Sequence, residues 1–489
     1  MNRKPLFFHD KVNTLWLLIW IPWILIFCVY CVSMLKYPYE WEPGEGARIL
    51  YAQRLLEAKP IYSSNQDFPM LGNCYPPLYF ILTALIMKTG IDPLICGRLI
   101  SIVSIILIVI GIYSVVKKLT GSKVLGIISI SSFLFPSSIT NWYPLARMDS
   151  LCSMLLFAST YIIFRNPESI RSAFFASLAS VAALYTKQTA IFIVAAMVLF
   201  YLSEKKWKQF LVYGSTIFLL SLLLFLLAQD WTNGWFFKNL FSENTDRIFI
   251  YKRYRLFFGW VFRSAPTICI IATLTVACDL FSKKYKVWIL FFLGALANAL
   301  LIGANGSGMN YFISLWAGVS IFFVLGLQNI DKIFHTESTK KALSLMILIL
   351  TSFSLLDGIT FFYRNTLLDY IPKKSDLFAM RHLDNQIKNS KGNIFVDRFP
   401  YISIKHNKNR FYVEPALIQE LYHAGRWKPD KLLDKINGRE FSMIFLLSES
   451  LLPRCIKEAV EKNYFLSEQI YIGTFEINRN RAILVYRNN

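Results

Sequence analysis

Three acidic residues follow directly on the first apolar segment of the chain. The stretch YPYEWEPGEGARILYAQRLLEAKPIY, residues 37–62, places Glu40, Glu42 and Glu45 just after an apolar run at 15–35. Carboxylates at a bilayer surface are costly when they enter the lipid, and they attract cations when they stay outside it. The proline and glycines between them would fix a close approach of Glu42 and Glu45. The pair is a candidate for proton abstraction or cation binding, and a solvated acidic turn is the alternative.

Two later motifs place cations and an acid at the ends of apolar segments. The motif NWYPLARMDSL contains Arg147 and Asp149, and LYTKQTAIF contains Lys187 between two apolar runs. Charges this close to a bilayer usually face a cavity or pair with each other. A lysine suits a phosphate group as a point charge. A mutual ion pair at a helix end, and a lysine that extends to the membrane surface, are the alternatives.

Aromatic and amide residues lie in two further motifs. NCYPPLYF places Tyr75 before two prolines, and NGSGMNYF places Asn310 and Tyr311 in a glycine-rich turn. Aromatic rings beside polar groups suit sugar stacking. An aromatic belt at the membrane surface would have the same composition.

The composition indicates a polytopic membrane protein. Of 489 residues, 55% are hydrophobic and only 17% charged, whereas soluble domains are about a quarter charged. Apolar runs near the ~20 residues that cross a bilayer recur to residue 362, and we predict 11–13 transmembrane helices. The net charge of +21 lies largely in short basic loops that act as topology signals, so nucleic acid is not an expected partner.

These basic loops alternate with the apolar segments. Assigning them to the cytoplasm places every candidate residue above on the opposite, extracytoplasmic face. Three segments precede Lys117, and an odd number cannot return the chain to the same side. We therefore expect one of the segments 75–90 or 94–116 not to cross simply, with the short 75–90 as the suspect.

The chain divides by composition near residue 363. Residues 1–363 are expected to form the transmembrane catalytic domain, whose first extracytoplasmic loop, 36–74, carries an amphipathic helix on the membrane surface. In that helix Ile49 and Leu50 would face lipid and Arg48 water. After Arg364, short β-like runs such as NIFVD, RFYVEP and FSMIFLL alternate with helical ones, which predicts a soluble extracytoplasmic α/β domain at 364–489.

The order of these motifs resembles the GT-C class of integral-membrane glycosyltransferases, in the branch of bacterial protein O-mannosyltransferases and aminoarabinose transferases. The resemblance rests on WEPGEGARILYAQRLL, YPPLYF, GRLISIVSI, ARMDSL, YTKQTAI and GMNYF. It implies a polyprenyl-phosphate sugar donor, inversion at the anomeric carbon and a plasma (inner) membrane location. It also implies an essential acid in the first extracytoplasmic loop, matched by Glu42 or Glu45. Relatives often carry Lys or His where this chain has Tyr75.

The resemblance and the residues together predict an inverting transfer to a lipid, glycan or protein hydroxyl. A glycosyl phosphate already has a good leaving group, so one carboxylate suffices as base. We assign Glu42 as base, Glu45 as helper or metal ligand, and Arg147 and Lys187 to the phosphate. Asp149 would orient Arg147 or bind a metal. A divalent cation (Mg²⁺, Mn²⁺ or Zn²⁺) is compatible with Glu42 and Glu45, and no organic cofactor is expected.

Two other functions fit the same residues. A secondary transporter would also use intramembrane Lys, Arg and Asp, but it predicts inverted repeats, which the sequence does not show. A polysaccharide ligase or polymerase would place its key residues in a large late loop. Membrane lipid is an expected partner under every alternative.

Overall fold

The computed structural model describes residues 10–242, 249–280, 282–304, 306–333, 345–351, 367–408, 411–472 and 481–488. Helices dominate this part of the chain up to residue 351, and a four-stranded sheet with helices follows. The predicted α-helical polytopic fold with a C-terminal α/β unit is confirmed. The boundary near 363 falls outside the described residues.

Six helices of the described part are long and apolar enough to cross a membrane. They lie at Thr14–Lys36, Pro93–Thr120, Met148–Arg165, Trp207–Trp231, Lys286–Gly303 and Met309–Asn329. The predicted segment 257–280 is a pair of helices, Tyr251–Ser264 and Pro266–Cys278, bent by 100°. Four shorter apolar helices complete the set, at Leu78–Met87, Lys123–Leu134, Ile170–Leu184 and Gln188–Ser203. The count of 11–13 spans stays a prediction.

The suspect segment 75–90 contains only the ten-residue helix Leu78–Met87. Ten helical residues extend about 15 Å, which is half of a hydrocarbon core of about 30 Å. This length agrees with the expectation that the segment does not cross simply.

The predicted helix of the first loop forms at Pro43–Leu56. Glu42 caps its first turn, because its Oε2 accepts a hydrogen bond from the Gly44 N–H at 2.9 Å, as is typical of an acidic residue at this position. The expectations that Ile49 and Leu50 face lipid and that Arg48 faces water are wrong, since Ile49 and Leu50 are fully buried against other parts of the protein and Arg48 is 8% exposed. The apolar face of this helix packs on protein because the chain folds over it from both sides.

The C-terminal sheet has the strand order β1-β2-β4-β3. Its strands are β1 (Asn393–Val396), β2 (Phe441–Leu447), β3 (Phe465–Ile472) and β4 (Arg481–Arg487). β1 pairs with β2 in parallel, and β4 pairs antiparallel with β2 and β3. The helices of this region lie at Lys374–Asn389, Pro400–Lys405, Pro415–His423, Asp430–Asn437 and Arg454–Asn463. In the predicted strand RFYVEP, the described residues 411–415 form only isolated bridges, at Tyr412 and Val413.

The first loop and the C-terminal region are hydrogen-bonded together. The Met70 N–H donates to Tyr412 O at 2.9 Å, and the Glu414 N–H donates back to Met70 O at 3.1 Å. The Trp427 indole N–H donates to Asn65 O at 3.0 Å. The loop that contains the candidate acids is therefore held between the helical bundle and the C-terminal region.

Candidate active site

Glu45 is paired with an arginine from the helix Pro93–Thr120. Its Oε1 lies 2.9 Å from Arg98 Nε and its Oε2 lies 2.8 Å from Arg98 Nη2. The backbone N–H groups of Trp41 and Ala146 donate to the same carboxylate, each at 2.8 Å. Burial by itself would raise the pKa of Glu45, but Arg98 and these donors lower it below its ordinary value. Both side chains are 0% exposed, so Glu45 holds the loop in place and does not contact solvent.

Glu42 is placed differently. Its Oε2 lies 2.7 Å from Arg147 Nη1, and its side chain keeps 15% of its surface exposed. Arg147 immediately precedes the helix Met148–Arg165, and the Ser101 hydroxyl contacts the Arg147 carbonyl oxygen at 3.1 Å. The Arg147 guanidinium also lies 5.2 Å from the ring centre of Trp142. Glu42 is thus the carboxylate of the pair Glu42 and Glu45 that a substrate can reach.

Asp149 joins the two candidate cations. Its Oδ2 lies 3.5 Å from Arg147 Nε, and its Oδ1 lies 2.7 Å from Lys187 Nζ. The Lys187 ammonium also lies 3.8 Å from the ring centre of Tyr311. All three charged side chains are buried. The sequence alternative of a mutual Arg147–Asp149 ion pair is therefore present, but within a longer chain of contacts from Glu42 to Tyr311.

Lys187 lies in the turn between two apolar helices, Ile170–Leu184 and Ile191–Ser203, and this turn buries its side chain. The next residue, Gln188, donates its side-chain N–H to Cys74 O at 2.6 Å, and the Leu78 N–H donates to Tyr185 O at 3.0 Å. These bonds fix the turn beside the YPPLYF motif, so that Lys187 points into the protein and not to the membrane surface.

The remaining predicted residues lie at the same place. The Tyr75 hydroxyl is close enough to Arg147 and Lys187 for both positive charges to act on it. Asn310 is buried, and its Oδ1 has no hydrogen-bond partner among the described residues. A Cβ on Gly308 would lie 2.9 Å from the Trp142 ring and 3.0 Å from Asn310 Oδ1, which is closer than side chains normally pack, so glycine allows this approach. The structure brings together all eight residues proposed from the sequence: Glu42, Glu45, Tyr75, Arg147, Asp149, Lys187, Asn310 and Tyr311.

Two residues of this region were given no role from the sequence. Arg98 stands near the start of the apolar segment 94–116, and the rule that a charge in a membrane segment has a partner could have identified it. Glu40 is buried, and its carboxylate accepts N–H bonds from Gly46 at 2.8 Å and Tyr401 at 3.0 Å. Burial raises the pKa of Glu40. Nothing in the sequence indicates the contact with Tyr401, which comes from the C-terminal region.

The side chains around Glu42 and Glu45 are poorly arranged as ligands for a bound divalent cation. The described residues hold no group of three or more His, Cys, Asp or Glu side chains arranged around one point. Both oxygens of Glu45 are engaged by Arg98 and backbone N–H groups. Glu42 is the carboxylate of the pair that is left to contact a cation.

Comparison with known proteins gives a consistent picture. Residues 75–231 match the family model described as dolichyl-phosphate-mannose-protein mannosyltransferase. No curated protein matches the chain. Among solved structures, ArnT from Cupriavidus metallidurans bound to undecaprenyl phosphate superposes with a TM-score of 0.60 and 10% identity, over 95% of this chain and 97% of that one. ArnT in the apo state gives 0.60 and 11%, over 95% and 98%.

A second relative is the archaeal oligosaccharyltransferase AglB from Archaeoglobus fulgidus, in complex with an inhibitory peptide and a dolichol-phosphate. It superposes with a TM-score of 0.52 and 10% identity, over 94% of this chain and 75% of that one. Identities this low show the fold. The predicted resemblance is confirmed: the chain has the fold of the GT-C integral-membrane glycosyltransferases, with the mannosyltransferase family model matched over residues 75–231.

Proposed function

We propose that the protein is an inverting glycosyltransferase of the GT-C type. It moves a sugar from a polyprenyl-phosphate carrier to a hydroxyl of a lipid, glycan or protein at the extracytoplasmic face of the plasma membrane. The observation that carries the proposal is the chain Glu42–Arg147–Asp149–Lys187, in which a partly exposed carboxylate contacts one buried cation and Asp149 links that cation to a second. A base next to phosphate-binding cations is the arrangement that transfer from a glycosyl phosphate requires.

Glu42 is the base in this proposal. The acceptor oxygen forms a bond to the anomeric carbon, the bond from that carbon to the phosphate oxygen breaks, and the acceptor proton passes to Glu42. The electron pair of the broken bond leaves with the polyprenyl phosphate. Displacement from the face opposite the leaving group inverts the anomeric centre.

In this proposal, Arg147 couples donor binding to the release of the Glu42 carboxylate from its ion pair. Its Nη1 lies 2.7 Å from Glu42 Oε2. A donor phosphate that binds Arg147 competes with Glu42 for the same charge, and the carboxylate then becomes available to the acceptor hydroxyl. Lys187 stabilises the charge that grows on the leaving phosphate, while Asp149 orients both cations. Tyr75, Asn310 and Tyr311 are proposed to line the sugar site.

No metal is assigned a role here, because the described residues around Glu42 do not form a metal-binding group. We therefore route no step through a metal. Transfer that survives exhaustive chelation would remove the metal from the proposal, and transfer restored by Mg²⁺, Mn²⁺ or Zn²⁺ would assign it to Glu42.

The similar structures support the choice of donor and acceptor. One was solved with undecaprenyl phosphate and another with dolichol-phosphate and a peptide. A secondary transporter and a polysaccharide ligase or polymerase remain the alternatives. The hydrogen bonds between the first loop and the C-terminal region favour the transferase, because the transporter alternative gives no reason for a C-terminal domain at this loop.

The test is transfer of radiolabelled sugar from polyprenyl-phosphate donors in membranes that contain the wild type, Glu42→Gln or Glu57→Gln at matched expression. Glu57 follows the same helix as an outward-facing acid that binds Lys59 at 2.7 Å. We expect Glu42→Gln to lose transfer by a factor of at least about 10² and Glu57→Gln to keep it. Equal transfer by wild type and Glu42→Gln would exclude Glu42 as base. Absence of transfer from every donor with the wild type would favour the transporter.

A further inference from the structure

Arg48 is a buried cation without a carboxylate partner. Its relative exposure is 8%. Among the described residues, no acid lies within the 4 Å of an ion pair, and Arg48 Nε is buried without a hydrogen bond. Every other buried cation of the region has an acid: Arg98 has Glu45, Arg147 has Glu42, and Lys187 has Asp149. A buried charge left uncompensated costs several kcal/mol, so its retention calls for an explanation.

Helix geometry places Arg48 beside the reactive groups. It lies four residues after Gly44 on the helix Pro43–Leu56, hence on the same face and about 6 Å along the axis. A Cβ on Gly44 would lie 2.5 Å from Arg147 Nη1 and 2.7 Å from Glu42 Oε2. The Glu42–Arg147 pair therefore covers the helix at Gly44, and Arg48 stands one turn further along the same surface.

Tyr75 connects Arg48 to the other cations. The Arg48 guanidinium lies 4.9 Å from the Tyr75 ring centre and 5.9 Å from that of Tyr51. Tyr75 is within electrostatic range of Arg48, Arg147 and Lys187 together. Stacking on a ring stabilises a guanidinium by roughly 0.5–2 kcal/mol, which is less than the cost of burying the charge. The rings orient Arg48 but do not neutralise it.

The ion pairs in direct contact leave one of the three cations unpaired. Arg48, Arg147 and Lys187 are three cations, whereas the carboxylates in ion-pair contact with them are those of Glu42 and Asp149. Glu414 acts on Arg48 from beyond ion-pair distance, and its Oε2 accepts a hydrogen bond from the Tyr412 hydroxyl at 2.6 Å. The unpaired charge is that of Arg48, which lies against Tyr75.

We propose that Arg48 is a phosphate-binding residue of the donor site, holding the phosphate of the lipid carrier beside Tyr75. This inference rests on the proposed function, since it names a further residue for the same donor. A planar guanidinium can present two N–H donors to one phosphate. Arg48 binds the phosphate from the side of the first loop, and Arg147 and Lys187 bind it from the side of the helical bundle.

The experiment measures carrier binding to the purified full-length protein in detergent by native mass spectrometry. The probes are undecaprenyl phosphate, undecaprenol and inorganic phosphate, and the proteins are the wild type, Arg48→Met, Arg54→Met, Arg147→Met and Lys187→Met. Arg54 is the matched control: it lies on the same helix, and its Nε donates to Pro60 O at 2.8 Å. Methionine keeps an unbranched side chain of similar reach and removes the charge.

We expect Arg48→Met to bind undecaprenyl phosphate about 10- to 100-fold more weakly, with undecaprenol binding unchanged and Arg54→Met like the wild type. The thermal unfolding midpoint of Arg48→Met should not fall, because the variant removes an uncompensated buried charge. A lower midpoint with equal loss of both lipids would make Arg48 a structural residue and overturn the proposal.

Three further outcomes separate the possibilities. If Arg48→Met keeps its affinity while Arg147→Met and Lys187→Met lose theirs, the Arg48 proposal fails and the proposed function stands. If the wild type binds undecaprenol as tightly as undecaprenyl phosphate, the donor class fails and Arg48 with it. If inorganic phosphate displaces undecaprenyl phosphate at an equal concentration, the site binds free phosphate, and the assignment to a lipid carrier is wrong.

Discussion

Glu45 and Arg98 form a bidentate ion pair from which solvent is fully excluded, with N–O distances of 2.9 and 2.8 Å. Arg98 also donates to the carbonyl oxygens of Met34, Tyr37 and Tyr39. All five guanidinium N–H groups thus have acceptors. The first transmembrane helix, Asp10–Lys36, ends at these carbonyls, so one arginine fixes the end of that helix, the turn after it and the acid at the start of the next. Glu42 takes its position from this arrangement.

Loss of the Glu45 charge should unfold the site and not merely slow the reaction. Glu45→Gln leaves Arg98 buried without a counter-charge, which costs roughly 3–5 kcal/mol. We expect a lower thermal unfolding midpoint in detergent for Glu45→Gln, whereas the partly exposed Glu42→Gln should unfold close to the wild type. A Glu45→Gln protein that unfolds like the wild type and yet transfers no sugar would show that Glu45 reacts directly.

The two glycines of the EPGEG motif should respond differently to alanine. A Cβ on Gly44 would meet Arg147 Nη1 at 2.5 Å, the end of a side chain that can move. Gly44→Ala should therefore fold but displace the Glu42–Arg147 pair, and transfer should fall by roughly tenfold or more.

A Cβ on Gly46 would meet Glu40 Oε2 at 2.0 Å and the Tyr401 backbone nitrogen at 2.8 Å. Backbone cannot yield cheaply, so Gly46→Ala should lower the unfolding midpoint. Gly214→Ala is the control, since a Cβ there meets nothing within 4 Å. Equal stability of Gly46→Ala and Gly214→Ala would show that the Glu40–Tyr401 contact does not hold the loop.

A double-mutant cycle separates the structural and chemical parts of the Asp149–Lys187 pair. Lys187→Met leaves the buried Asp149 with Arg147 at 3.5 Å as its remaining cation contact, so stability should fall by about 3–5 kcal/mol. Combination with Asp149→Asn removes both charges and should restore most of that stability. Sugar transfer should stay low in the double variant. Wild-type transfer by the double variant would remove Lys187 from the phosphate site.

Asp397 predicts a pH dependence of stability that is independent of the active site. Burial raises the pKa of Asp397 from 3.8 to about 6, against the lowering effect of nearby hydrogen bonds and charges. Between pH about 4 and 6, the Asp397 carboxyl is therefore protonated in the folded state and ionised in the unfolded state. The resulting stabilisation is present below pH 4 and is lost as the pH rises through 6, a change of about 3 kcal/mol.

The measurement for Asp397 is the unfolding midpoint at pH 5 and pH 7.5. Asp397→Asn should show a smaller loss between the two values than the wild type, because it has no proton to release there. Asp434→Asn, an exposed acid of the same region, should behave like the wild type. An identical pH profile for Asp397→Asn and the wild type would contradict a raised pKa.

The sequence by itself determined the membrane class, the positions of most apolar helices, the alternation of helix and strand after residue 364, and the set of residues that meet at the site. These follow from local signals, because span length, basic loops and charges at the ends of apolar segments are visible in one dimension. The bend between Ser264 and Pro266 and the absence of a full strand at RFYVEP depend on neighbours that the sequence does not name.

Tertiary structure alone decided the difference between Glu42 and Glu45. The two acids are three residues apart and look alike in sequence. Arg98, fifty-three residues after Glu45, pairs with Glu45 and buries it, whereas Glu42 stays partly exposed. It also buried Ile49 and Leu50 against protein, and enclosed Arg48 without an acid. Burial and charge pairing are properties of the space between distant segments, so residue types and spacing cannot supply them.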